Sequence, residues 1–158
     1  MVKEKIFYLT RRGLERIKKE YKILRTLRFT KTKAEVPKIL ESEDLNPEYL
    51  SFREDLSFLE TRITELENVL KNAKLITPPP KNKQNTIGLG ATVTAEVEGD
   101  RDEFTIVGTL EASPSLGKIS NESPVGRALI GHKIGDEVVI SSPIKVIYKI
   151  LKIKYSSL

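Results

Sequence analysis

The sequence predicts an α+β protein in two parts: an N-terminal antiparallel α-helical coiled-coil hairpin, then an antiparallel β-sheet domain carrying one short helix. Two observations predict it. Apolar residues recur every three or four positions in the first half and every second position from Ala91 onward. Between these stretches runs Thr77-Pro78-Pro79-Pro80-Lys81-Asn82-Lys83-Gln84-Asn85. Its three successive prolines cannot continue a helix, and its polar residues cannot build a core. The expected organisation is a hairpin over 1–76, a linker over 77–86 and a sheet domain over 87–158.

In the first arm, Thr10 can cap a helix that starts at Arg11, and Leu14, Ile17, Tyr21 and Leu24 continue at helical spacing. The strict phase then meets Arg28, Lys31, Glu35 and Lys38, while Leu27, Ala34, Ile39 and Leu40 offer a shifted register. Pro37 removes a backbone donor, which predicts a kink or break near 33–37. The second arm is regular. Asn46 suits an N-cap and Pro47 the first helical position. Tyr49, Phe52, Leu56, Leu59, Ile63, Leu66, Leu70 and Ala73 then follow in an unbroken 3-4 alternation, the seam of a coiled coil. A helix over 47–75 would be roughly 44 Å long at 1.5 Å per residue. Folding the arms back around residue 45 sets Leu24 against Leu66, Leu27 against Ile63, Ala34 against Leu56, Tyr21 against Leu70 and Ile17 against Ala73. The tip then holds Glu43, Asp44, Leu45 and Asn46.

The strands of the second part read as 91–97, 103–107, 136–140 and 144–153, each with alternating apolar residues. Glu98-Gly99-Asp100, Gly135-Asp136 and Ser141-Ser142-Pro143 supply turns. One short helix interrupts them, capped by Ser123, started by Pro124 and ended by Gly131.

Composition narrows the chemistry. The 158 residues carry 27 Lys+Arg against 22 Asp+Glu, a formal net charge of +5. The longest apolar run is Ile6–Leu9, far short of the about 20 residues of a membrane span and shorter than a secretory signal's core. No cysteine is present, which excludes disulfides, thiolate metal sites and a cysteine nucleophile and agrees with a cytoplasmic location. A single histidine, His132, excludes a multi-histidine zinc site and leaves little room for a Ser-His-Asp triad; it follows a helix-ending glycine and reads as a surface turn. Gly88-Leu89-Gly90 lacks the third glycine and following helix of a phosphate loop. Tyr49 and Phe52 offer rings for stacking on bases, but their seam positions favour packing.

Charge divides the arms. Residues 1–38 hold 13 basic and 4 acidic side chains, and residues 39–77 hold 4 basic and 9 acidic. Opposite charges on facing arms favour their pairing over self-association, so a monomer is expected. The surplus on the first arm, at Arg11, Arg12, Arg25, Arg28, Lys31 and Lys33, marks a surface for RNA or for an acidic channel wall. The alternative for these residues is a plainly solvated helix face.

Several ordered fragments are similar to the Gre family of bacterial transcript-cleavage factors, its GreA branch most. Leu9-Thr10-Arg11-Arg12-Gly13-Leu14 resembles the entry into the family's first helix. Asp44-Leu45, Asn46-Pro47-Glu48-Tyr49 and Arg53-Glu54 resemble its tip, and Glu60-Thr61-Arg62-Ile63 with Leu66-Glu67 its second helix. Gly90–Thr94, Phe104–Gly108 and, most specifically, 119–131 resemble its C-terminal domain. The resemblance implies a coiled coil followed by an FKBP-like domain, and bacterial RNA polymerase as partner. It implies that the C-terminal domain, through Ser123, Pro124, Arg127, Ile130 and Gly131, holds the rim of the polymerase secondary channel. The coiled coil would enter that channel and bring acids to the nascent RNA 3′ end in a backtracked complex. There the polymerase itself cuts. The factor would have no cofactor of its own and would help hold a Mg²⁺ in the polymerase active centre. Such a metal takes hard oxygen ligands, so one or two added carboxylates suffice.

The tip departs from the family's pattern. Cleaving members carry an Asp and, three positions later, a Glu. Asp44 matches the Asp, while the two positions after Leu45, including that Glu, are missing. Glu43 is the candidate partner of Asp44 in the catalytic and metal-holding pair; Glu48 instead matches a family Glu at the start of the second helix, where a carboxylate is favoured anyway. Acids at helix tips are also commonly just solvated. Two competing functions stand beside cleavage stimulation: a channel binder that no longer cleaves, acting as regulator or inhibitor, and a prolyl isomerase or chaperone. The second needs an aromatic-lined pocket, whereas 86–158 holds only Phe104, Tyr148 and Tyr155.

Overall fold

A computed structural model of the chain describes residues 3–34, 47–141 and 143–156. The expected tip at Glu43 and Asp44, the break at Pro37 and the N-cap at Asn46 lie outside the described residues. The chain divides into two compact units, 15–72 and the combination of 1–14 with 73–158.

The first of these is the helical hairpin. Helix α1 spans Arg11–Ala34 and helix α2 spans Pro47–Lys71. The cross-pairs Tyr21 Oη to Glu67 Oε1 at 2.9 Å and Lys31 Nζ to Asp55 Oδ2 at 3.4 Å make them antiparallel. Arg62 Nε adds a 2.9 Å bond to Glu20 Oε1. These contacts run a few residues out of the expected register. Leu27, expected against Ile63, is instead 51 % exposed, at the rim of a groove it shares with Leu24, Phe58 and Leu59. On α2 the seam holds where it is deepest: Leu59, Ile63 and Leu66 are buried, and Tyr49, Phe52 and Leu56 half-buried. Val69, outside the expected seam, is buried too.

Helix α2 ends at Lys71, four residues earlier than expected. The amide of Asn72 turns back to bond Asn68 O at 3.1 Å, which occupies a terminal carbonyl. Ala73–Leu75 then forms strand β2, paired in parallel with strand β1, Phe7–Leu9. Both belong to the second unit, where Leu9 and Ile76 are buried.

That unit is built on a five-stranded sheet of β3 (Ala91–Val97), β4 (Asp100–Val107), β5 (Lys118–Ser120), β6 (Glu137–Ser141) and β7 (Lys145–Tyr155), in the order β5-β4-β3-β7-β6. The expected sheet is antiparallel. The observed one is mixed, because β5 pairs with β4 in parallel. The β3–β4 hairpin turns through Glu98 at φ 53° and Gly99 at φ 88°, the two left-handed residues that match the strands' own twist. Alternation buries Ala91, Val93 and Ala95 of β3 against Phe104, Ile106, Val138, Ile140 and Ile150. The short helix α3, Pro124–Leu129, closes this face with Leu129. Phe104 meets Tyr148 edge-on, with ring centroids 6.3 Å apart, so two of the domain's aromatics are spent on the core.

Residues 77–86, expected as a linker, fall within this unit. Lys81–Lys83 forms a 3-10 turn, Gln84 Nε2 donates to Pro79 O at 2.9 Å, and Tyr155 Oη donates to Thr86 O at 2.6 Å. The polar residues that cannot build a core instead bond to the chain around them.

Candidate docking segment and basic helix face

The acids proposed from sequence for metal work, Asp44 and Glu43, lie outside the described residues. Among the described residues no group of three or more His, Cys, Asp or Glu side chains is placed to hold a metal ion. Glu48 occupies the first turn of α2, the end of the helix that favours an anion.

The six basic residues proposed on the first arm divide by environment. Lys31 is spent within the hairpin: its ammonium pairs with Asp55 and lies 5.6 Å from the centre of the Phe52 ring. Arg25 lies over Tyr21 at 5.5 Å and Lys33 over Phe29 at 4.7 Å, yet both remain exposed. Ring stacking holds the cations without neutralising them. Arg28 is half-buried, and Arg11 and Arg12 are exposed. Lys22, Arg25, Arg28 and Phe29 together line an open groove along α1. Lys22 is the member that sequence reading passed over. Its place three residues before Arg25, on the same helix face, was the available signal.

The second candidate is the segment 119–131. Ser123 caps α3 through two bonds: its Oγ accepts from Gly126 N at 3.0 Å and donates to Ser120 O at 2.7 Å. Pro124 then pre-sets the first helical residue. Gly126 is forced by close approach, because a Cβ there would stand 2.1 Å from Ser120 O. Gly131, at φ 92°, supplies the left-handed turn after the helix. Leu129 anchors the helix in the core at 0 % exposure, while Pro124, Arg127, Ile130 and Gly131 face outward. Of the five residues proposed here, Ser123 builds the local shape and the other four present it. An exposed isoleucine beside a guanidinium suits a protein surface that is apolar with an acidic edge.

The turn after β4 supports this segment, and the sequence did not reveal it. The Thr109 hydroxyl donates to Glu122 Oε2 at 2.6 Å and lies 3.1 Å from Ser120 Oγ. That bond, followed by the Lys5 ammonium 3.7 Å away, holds the Glu122 carboxyl below its ordinary range. His132 lies at the surface as a partner to Asp136, with Nδ1 3.2 Å from Oδ2. The Asp136 carboxyl is also held below its ordinary range, first by the Lys133 backbone N–H and then by His132.

Comparison with known proteins covers both units. Residues 7–75 match the family profile described as "Transcription elongation factor, N-terminal", and residues 81–155 match "Transcription elongation factor, GreA/GreB, C-term". The transcription elongation factor GreA of Bacillus subtilis is 42% identical over 97% of this chain and 99% of its own. That of Thermomicrobium roseum is 41% identical over 90% of this chain and 92% of its own. Among solved structures, the GreA factor homolog 1 (Gfh1) of Thermus thermophilus is 28% identical, covering 95% of this chain and 99% of that one at a TM-score of 0.42.

Proposed function

The chain belongs to the GreA/GreB family of transcription elongation factors, and from that premise we propose that it stimulates RNA cleavage by bacterial RNA polymerase. The factor binds at the secondary channel, and the polymerase cuts the 3′ end of backtracked RNA, which relieves arrest. The observation that carries this reading is identity above 40% to GreA along nearly the full length, so that both halves match together.

The residues divide the work. Arg127, Ile130, Pro124 and Gly131 face outward from α3 and dock on the channel rim. Arg25 and Arg28, with Lys22 beside them, give α1 a cationic groove that attracts RNA or the acidic channel wall. Asp44 and Glu43 supply carboxylate oxygens at the tip. Two carboxylates are an incomplete set for Mg²⁺, which fits an ion whose other ligands come from the polymerase. Bound there, a second metal supplies charge neutralisation and an activated water for phosphodiester hydrolysis. The chain is thus a partner of an enzyme rather than an enzyme, acts as a monomer, and works in the cytoplasm with the polymerase.

The test is cleavage of 3′-extended RNA in a stalled, backtracked complex of the cognate polymerase. Wild-type protein is expected to accelerate cleavage, and Asp44→Ala to abolish the acceleration. Demonstrated binding with no acceleration by wild type would overturn the reading in favour of a non-cleaving channel ligand.

A further inference from the structure

Helix α1 starts badly for a helix. Arg11 and Arg12 occupy its first turn, and no acid stands there. Cations at the positive end of the helix dipole are unfavourable. The compensating carboxylate comes from 101 residues further along the chain. Glu111 accepts the Thr10 backbone N–H at 2.7 Å and the Thr10 hydroxyl at 2.6 Å. The Thr10 Oγ1 in turn accepts the Gly13 N–H at 3.0 Å, the N-cap bond of α1. Thr10 is the buried polar residue among the described residues of this unit, at 8 % exposure. The fit leaves no room at Gly13, where a Cβ would stand 2.3 Å from Glu111 Oε1.

The other side of the same turn is tied to the docking segment. Glu111 closes the 3-10 turn Thr109–Glu111, and Thr109 bonds Glu122 and touches Ser120, whose carbonyl holds the Ser123 cap. Hydrogen bonds at either end, linked by the backbone of the Thr109–Glu111 turn, therefore join the N-cap of α3 to the N-cap of α1, wholly inside one compact unit. We propose that Glu111 is a positioning residue: it fastens the first turn of α1 to the docking segment, so that the root of the hairpin and the polymerase-contacting helix move as one body. Charge-assisted bonds to a part-buried carboxylate suit that task, being stronger than neutral ones. The consequence for activity rests on the proposed function: a tip is delivered reproducibly only from a fixed root.

The experiment uses the full chain and two readouts, amide hydrogen exchange at Thr10 and Gly13 and a cleavage titration against backtracked polymerase. Glu111→Ala is expected to speed exchange at Thr10 about tenfold, since that amide loses its charge-assisted acceptor, and to speed it by less at Gly13, whose acceptor, the Thr10 hydroxyl, only loses its own anchor. It should lower the cleavage plateau several-fold and leave the half-saturating concentration within about twofold, because α3 itself is untouched. Glu111→Gln, which keeps an acceptor, should fall between the two, and Thr10→Ser should behave as wild type. Gly13→Ala is the sharper variant. It is a better helix former, yet its methyl displaces the carboxylate, so it should also speed exchange at Thr10. Combined with Glu111→Ala it should add nothing further, since both break one contact. Unchanged exchange in Glu111→Ala, or an unchanged plateau with a factor that itself cleaves, would overturn the proposal. A wild-type protein that fails to cleave would instead contradict the proposed function, and exchange alone would then decide whether Glu111 holds the root.

Discussion

The two compact units of this chain are held together in different ways. The hairpin has a narrow seam: α2 buries Leu59, Ile63, Leu66 and Val69, while α1 offers half-buried Ile17, Tyr21 and Leu24. Ion pairs such as Arg62–Glu20 and Lys31–Asp55 flank it. The sheet unit instead closes ten buried residues from four strands, one helix and the chain before β3 into a single cluster. Two helices have one shared face and cannot enclose a volume, whereas a sheet covered by a helix can. The difference suits the proposed division of labour, with the two-helix element entering the channel and the sheet unit holding its rim.

The largest effects are expected from the cores. Ile106→Ala should lower stability of the sheet unit by about 4 kcal/mol, since Ile106 is fully buried in the core cluster and its removal leaves a cavity there. Ile63→Ala should cost the hairpin about 2 kcal/mol, because a two-helix seam collapses more easily. Residue-resolved amide hydrogen exchange would separate the two units, and equal losses would break the contrast. A smaller effect is expected at the flanks. Glu20 and Arg62 are 38% and 47% exposed in their side chains. A double-mutant cycle on this pair should therefore give about 0.5 kcal/mol, reduced further by salt. A coupling well above 1 kcal/mol would mean that ion pairs, not the seam, hold the hairpin.

The smallest effect concerns pH. The carboxyls of Asp136 and Glu122 are depressed in the fold, by the Lys133 N–H and by the Thr109 hydroxyl respectively. The unfolded chain therefore takes up protons first as pH falls. The stability these groups contribute is complete above the ordinary carboxylate range, near pH about 4, and is lost as pH falls through their folded values. Asp136→Asn keeps an acceptor for Lys133 N and should flatten part of that acid decline in a thermal melt series. A variant that declines as steeply as wild type would assign the acid sensitivity elsewhere.

The sequence was most legible where a period ran long. Strand β3 occupies 91–97 as read, and the Ser123-Pro124 start of α3 is as read. Strands β1 and β5 are three residues each, too short to show a period, and they hid the parallel pairings. The end of α2 was overrun because Ala73 continues the 3-4 spacing while pairing as a strand with Phe7. Charge type alone could not tell Lys31, tied to Asp55, from Arg25, which stays exposed. Glu111 was invisible because its partner lies 101 residues away and no local pattern announces it. The tip acids Asp44 and Glu43 were legible only through family resemblance, since an acidic helix tip is by itself ordinary.

The division of labour between the two units is tested most directly by one titration of cleavage against factor concentration in backtracked complexes, run for wild type, Asp44→Ala and a docking variant carrying Arg127→Glu and Ile130→Asp. Asp44→Ala should remove the plateau while still competing with wild type for polymerase. The docking variant should raise the half-saturating concentration at least about tenfold, the scale of losing one or two interface contacts, and reach the wild-type plateau at high concentration. An Asp44→Ala protein that no longer competes, or a docking variant with unchanged half-saturation and a lowered plateau, would contradict the account.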